Sequence, residues 1–241
     1  MDTAVENTVK SIVNEDFRAA SVFEKYSIDS CCHGNVSLSE ACAQKGIDQK
    51  KVLSELARLE TSGDGEAASF KMLDLDTIVD HIIRRHHAYV RKISPTIVAH
   101  TQKIASVHGD NHPELIDVAE RIFAITSDLA NHMMKEEHVL FPYIKGLAAA
   151  ARGEKELDPS PFGSVANPIR MMEAEHERAG DTMGAIRTET ENYNPPDDAC
   201  TTYRVTLQEL EEFERDLHAH VHLENNNLFP RAIELEKRLG A

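Results

Sequence analysis

His132-Met133-Met134-Lys135-Glu136-Glu137-His138-Val139-Leu140-Phe141-Pro142 is echoed near the C-terminus by His220-Val221-His222-Leu223-Glu224-Asn225-Asn226-Asn227-Leu228-Phe229-Pro230. Both stretches fit one template: His, three residues, Glu, three residues, Leu-Phe-Pro. Positions i and i+4 share a helix face, so each copy points an imidazole and a carboxylate the same way, one turn apart. The proline marks where the regular helix is disturbed or ends, because it lacks an N–H and its ring crowds the preceding turn. One His-x-x-x-Glu pair alone carries little meaning, since such pairs are common on solvated helix faces. The register, however, extends backwards: His87 lies 45 residues before His132, and His176 lies 44 before His220. Each half is therefore a helix with one His, a connection, and a helix with His-x-x-x-Glu.

Two such hairpins predict an all-α protein built on a four-helix bundle, with four His and two Glu converging from four helices. Polar atoms in a bundle core are costly unless satisfied, and metal ions satisfy all of them at once. Imidazole nitrogen with carboxylate oxygen suits iron, manganese or zinc. The candidate ligands are His87, His132, Glu136, His176, His220 and Glu224. Two carboxylates suffice to bridge two metals, one oxygen to each, so Glu136 and Glu224 are the expected bridges. An oxo or hydroxo bridge would complete the shells and leave a position for a diatomic ligand. The spacing leaves open which His pairs with which at each metal.

The remaining histidines read differently. Of the adjacent His86 and His87, the second is flanked by Ile83 and Val90 and is the one expected to face inwards. His218 and His222 are assigned to solvent or an outer layer, since His222 has Asn226 at i+4 where a Glu would be needed. His138 has no counterpart in the second copy, His108 is placed near a mouth of the bundle, His100 and His112 read as surface residues, and His81 reads as a core or surface residue, with a place along an access route as the alternative. Glu137 and Glu175 neighbour ligands and read as solvated helix charges, with support of those ligands as the alternative. Met133, Met134, Met171 and Met172 read as packing residues.

The chain has 241 residues and a formal net charge of -15, which argues against nucleic acid or an anionic membrane as a partner. No apolar run approaches the ~20 residues of a membrane span. The start, Met1 to Glu6, has neither a basic nor an apolar leader pattern, and adjacent cysteines fit a reducing compartment, so a cytoplasmic location is expected. Residues 1–60 read as a small helical domain, with Ser37 and Glu40 forming a capping box and Val52, Leu53, Leu56 and Leu59 on one helix face. A domain of this size is marginal alone, and pairing of two chains through it is an expected use of its apolar faces. Residues 61–75 read as a linker, and 76–241 as the bundle, with helices over 77–107, 113–147, 167–191 and 199–239 and a bend at Pro95. Cys31 and Cys32 precede a helix start, where free backbone N–H groups favour thiolate. Cys42 and Cys200 read as structural.

Asp29-Ser30-Cys31-Cys32-His33-Gly34, His132-Met133-Met134-Lys135-Glu136-Glu137 and Leu223-Glu224-Asn225-Asn226-Asn227-Leu228-Phe229-Pro230-Arg231 together resemble the repair-of-iron-centres family of hemerythrin-like di-iron proteins. The resemblance spans almost the whole chain. It implies a hemerythrin-like bundle holding two non-haem iron ions, oxo- and carboxylate-bridged, on His87, His132, Glu136, His176, His220 and Glu224. It implies repair of iron-sulfur clusters damaged by nitric oxide or oxidants, through iron donation to damaged iron-sulfur proteins, with nitric oxide or oxygen as a small ligand. A nitric oxide reductase or a nitric oxide or oxygen sensor on the same site is the alternative. Cys31 and Cys32 match the family's cysteine pair and take from it a redox or iron-transfer role, although His33 intervenes before Gly34. The ligand set departs from the five-His oxygen carriers, so oxygen transport is not carried over.

Overall fold

The computed structural model describes residues 7–15, 19–26, 28, 34–61 and 73–240. Cys31, Cys32 and His33, and most of the expected linker, lie outside them. Among the described residues the only strand-like pairing is an isolated bridge between Thr8 and Ser37; the rest of the regular structure is helical.

Four rods make the bundle. The first runs through α5 (Leu75–Ile82), a π-helical turn at Ile83–His87, and α6 (Ala88–His108). The second joins α7 (Glu114–Lys135), a π turn at Glu136–Leu140, and α8 (Phe141–Ala151). The third is α9 (Ala166–Glu189). The fourth joins α10 (Thr201–Leu223), a π turn at Glu224–Leu228, and α11 (Phe229–Leu239). These rods agree with the sequence-based ranges to within a few residues. Asp74 stands at the N-cap position of the first without a side-chain capping bond, Asp76 lies inside its opening turn, and α6 continues through Pro95.

The two Leu-Phe-Pro motifs do not end their helices. Pro142 and Pro230 occupy the first turns of α8 and α11, where a missing N–H costs nothing. The disturbance falls just upstream: Phe141 N–H bonds to the Glu136 carbonyl and Phe229 N–H to the Glu224 carbonyl, five residues back in each case. A third such bond, Ala88 N–H to the Ile83 carbonyl, forms the turn that carries His86 and His87, with no proline beside it. Each π turn thus begins or ends on a candidate ligand, as such turns tend to do at functional sites.

Two apolar clusters fill the bundle. One gathers Val90, Ile97, Ile104, Leu115, Ile122, Met183, Leu210 and Phe213; the other gathers Ile78, Ile82, Leu140, Phe141, Ile144, Ile169, Leu228 and Phe229. Along every rod the candidate ligands fall between them, so the bundle is a polar belt between two dry halves. Of the four methionines near the belt, Met133 and Met172 pack inside while Met134 and Met171 stand exposed. The turn after α9 holds Glu191, Asn192 and Tyr193 at φ of 50°, 60° and 59°. Each costs on the order of 1 kcal/mol, and the turn is held by the Tyr193 hydroxyl donating to buried Glu214, which also pairs with Arg187.

Four N-terminal helices, α1 (Val9–Glu15), α2 (Ala19–Lys25), α3 (Leu38–Lys45) and α4 (Gln49–Thr61), share a third cluster that includes Val13, Phe23, Leu38 and Val52. Ser37 and Glu40 form the reciprocal cap at the start of α3. The faces of this unit are not all left for a second chain: α1 packs against the π turn at Glu224–Leu228 of the same chain. Among the described residues no helix is long and apolar enough to cross a membrane.

The two clusters make a direct prediction. Phe213 is fully buried, whereas Phe123 is 58% exposed. Urea unfolding at fixed metal content should show Phe213→Ala losing about 3–5 kcal/mol, while Phe123→Ser stays within about 0.5 kcal/mol of the parent.

Candidate metal centre

All six sequence-predicted residues are buried and meet in the belt. His87 comes from the first π turn, His132 from the end of α7, His176 from the middle of α9 and His220 from the end of α10. Glu136 and Glu224 open the other two π turns. They form two overlapping groups whose potential ligand atoms lie within 4.8 Å of one another: His87, Glu136, His220, Glu224 and His132, Glu136, His176, Glu224. The pairing left open by the spacing is therefore crossed, with one imidazole from each half of the repeat in each group, and both carboxylates are shared. Glu136 turns one oxygen to His132 and the other to His87, each at 3.3 Å; Glu224 does the same to His220 and His176, each at 3.1 Å.

The residues fit a pair of metal ions on two grounds. First, both oxygens of Glu136 and both of Glu224 are buried without a hydrogen-bond donor. Four acceptors of that kind in one core are very costly unless cations satisfy them. Second, the Nε2 atoms of His87 and His220 lie 3.2 Å apart and those of His132 and His176 3.0 Å apart. Nitrogens about 2.1 Å from one ion at a right angle stand about 3 Å from each other. The electrostatics agree. Burial lowers and Glu136 raises the His132 pKa, to a net value of about 9. Burial pushes both carboxylates up, and the Glu224 charge adds to this at Glu136, but the imidazoles outweigh these effects, so Glu136 is held below the usual range and Glu224 well below it. A core that holds a proton on His132 beside two ionised carboxylates is one where metal can replace that proton.

The outer nitrogens favour the reading of Glu137 and Glu175 that the sequence placed second. His87 Nδ1–H donates to Glu137 at 2.6 Å, His132 Nδ1–H to Glu175 at 2.8 Å, and His176 Nδ1–H to Asn225 at 2.9 Å. Glu137 and Glu175 are therefore not simply solvated helix charges; they orient two candidate ligands and are themselves backed by Arg91 and Lys135. Their position next to a ligand in the sequence was the available signal. Phe141 stacks on His87 and Phe229 on His176, with rings 5.7 Å and 6.1 Å apart, so the Phe of each Leu-Phe-Pro motif braces the upstream His of its own half.

The other histidines are scattered. His86 is buried against His220, and His222 is buried, accepts from the Asn226 amide and is pushed down to about 4 by burial and the Lys10 charge. His138 is exposed. His100 pairs with Glu209, and His112 with Asp198 and Glu114. His108 sits at the far end of α6, some twenty residues of helix from His87, 3.2 Å from the sulfur of Cys200. Cys42 is buried, whereas Cys200 is exposed at the start of α10, where it does no packing. A cleft of about 600 Å³ between α7 and α9 opens onto His132, Glu175 and His176.

Comparison with known proteins agrees with this architecture. Residues 78–232 match the hemerythrin HHE cation binding domain, and residues 5–60 match a domain of unknown function (DUF542). Iron-sulfur cluster repair protein YtfE from Escherichia coli O157:H7, and the proteins of that name from Citrobacter koseri and an Enterobacter species, are each 36% identical to the chain over 217 residues. That alignment covers 90% of this chain and 91% of the relative in each case. With two overlapping buried His/Glu groups that could hold metal at the centre of a hemerythrin-like bundle, and relatives this similar over nearly its full length, the chain belongs to the iron-sulfur cluster repair family of hemerythrin-like proteins.

Proposed function

We propose that this protein restores damaged iron-sulfur clusters by donating iron that it stores as a pair of ions in the belt. The observation that carries the reading is the set of four donor-less carboxylate oxygens enclosed by four imidazoles. Such a set holds divalent metal through nitrogen and oxygen alone, without the thiolates that would bind it more tightly. His87 and His220 would hold one ion and His132 and His176 the other, with Glu136 and Glu224 bridging the two. Relatives named iron-sulfur cluster repair proteins support the choice of acceptor, an iron-sulfur protein in need of repair. Residues 1–60 would form a separate domain whose Cys31 and Cys32 receive or pass on iron, or carry the accompanying electrons, in a cytoplasmic setting.

The cleft over His132 and His176 favours a second reading, in which a diatomic such as nitric oxide or oxygen reaches the centre. Bound iron would supply two one-electron changes, enough to convert two nitric oxide molecules and two protons to nitrous oxide and water. Around it Glu175 and Glu137 would hold the imidazole protons in place, and the two apolar clusters would keep bulk water out. The readings separate cleanly. Iron-loaded protein mixed with a cluster-depleted iron-sulfur enzyme should lose iron as the acceptor regains activity. Sustained consumption of nitric oxide with a reductant, at constant iron content and without rescue of the acceptor, would overturn donation in favour of the enzyme.

Two variants test the site. Glu136→Gln with Glu224→Gln should abolish iron binding while leaving the metal-free fold as stable as before or more so, because removing buried unpaired charge offsets the lost ligands. Metal analysis together with thermal unfolding of the metal-free protein reads both effects, and unaltered iron content would exclude the assignment. Glu137→Ala should weaken iron binding about 10–100-fold without removing a ligand, as loss of an orienting partner does; a metal titration measures it.

A further inference from the structure

We propose that His86, anchored by Asp216, is the positioning residue for His220; the proposal rests on the two-metal reading above. The repeat relating the two halves carries the argument. In its register His132 corresponds to His220, Glu137 to Asn225, His87 to His176, and Glu175 to His86. Three of the four outer nitrogens obey that correspondence. His87 and His176 each donate to the residue that follows the carboxylate of their own half, Glu137 and Asn225. His132 donates to Glu175, the residue before the upstream His of the other half. The matching contact for His220 belongs to the residue before His87, which is His86.

His86 occupies that place but meets His220 differently. The two rings lie parallel, 5.5 Å between centroids and 5° between planes, and His220 Nδ1 is buried without a hydrogen-bond partner. Where the other three imidazoles are held by an acceptor, this one is held by a stack. The stack is itself fixed: His86 is 6% exposed, its Nδ1–H donates to Asp216 Oδ1 at 3.1 Å, Arg85 approaches the same oxygen at 3.4 Å, and His81 meets the ring edge-on at 5.8 Å. Asp216 lies one turn before His220 on α10, so one helix carries both the ring and the anchor of the residue that braces it. A parallel stack sets the plane of a ring as an acceptor would. Without it, no hydrogen bond from the described residues fixes the outer side of His220.

Anaerobic cobalt(II) titration followed by the visible ligand-field spectrum tests this on the full chain. Wild type should bind two ions. His86→Ala should keep one at wild-type affinity and hold the other about 10–100-fold more weakly, with an altered spectrum. His86→Phe retains a flat ring and leaves Arg85 for Asp216, so it should restore both affinities. Asp216→Asn, which keeps volume but loosens the anchor, should weaken the same ion and serves in place of His86→Ala if circular dichroism shows that variant unfolded. Wild-type affinities and spectrum in both His86→Ala and Asp216→Asn would overturn the proposal, as would His86→Phe being as weak as His86→Ala. A wild type that binds no pair of ions would instead overturn the two-metal reading beneath it.

Discussion

The constraint on which the structure turns is the burial of two ionised carboxylates, Glu136 and Glu224, at the centre of a helical bundle. A carboxylate taken from water into a protein core loses hydration worth several kcal/mol even after relaxation. Here two stand close enough to repel each other, and none of their four oxygens finds a donor. Such a core is tolerable only around positive charge. A proton on His132 supplies some of it in the metal-free chain, and metal cations would supply far more. The arrangement therefore stores a demand for metal in the fold itself.

The rest of the bundle serves that belt. The apolar clusters above and below it keep water away, which strengthens every electrostatic contact inside. Three π turns give the ligand-bearing segments a wider local helix, so that imidazoles and carboxylates from separate rods reach a common centre. The two phenylalanines of the repeated motif brace one imidazole in each half, and Glu137, Glu175 and Asn225 hold the outer nitrogens. The inner set of six is two-fold in plan, while the outer partners are not: acidic at His87 and His132, an amide at His176, a stacked ring at His220.

The buried set offers only nitrogen and oxygen donors, and a cleft between α7 and α9 reaches one side of the belt. The contact of α1 with the Glu224–Leu228 turn brings the N-terminal helices against the element that supplies one shared carboxylate. A change in that contact would be felt directly at the centre.

Much of this was written in the chain. The repeated His-x-x-x-Glu-x-x-x-Leu-Phe-Pro, with His87 and His176 in matching register, determined the all-α class, the four rods and the six residues that meet in the belt, because helical periodicity alone decides which side chains share a face. Three things had to wait for the tertiary structure. The crossed pairing, His87 with His220 and His132 with His176, depends on how the two hairpins lie against each other, which no spacing within a hairpin encodes. The roles of Glu137 and Glu175 depend on contacts spanning 50 and 43 residues, whereas in sequence each is one more acid on a charged helix. The inward placement of His86 depends on α10, whose Asp216 and His220 cover it across 130 residues of sequence and more, although His86 and His87 point to different sides of their helix. Local periodicity sets which residues face inwards; only the packing of one helix on another decides what they meet there.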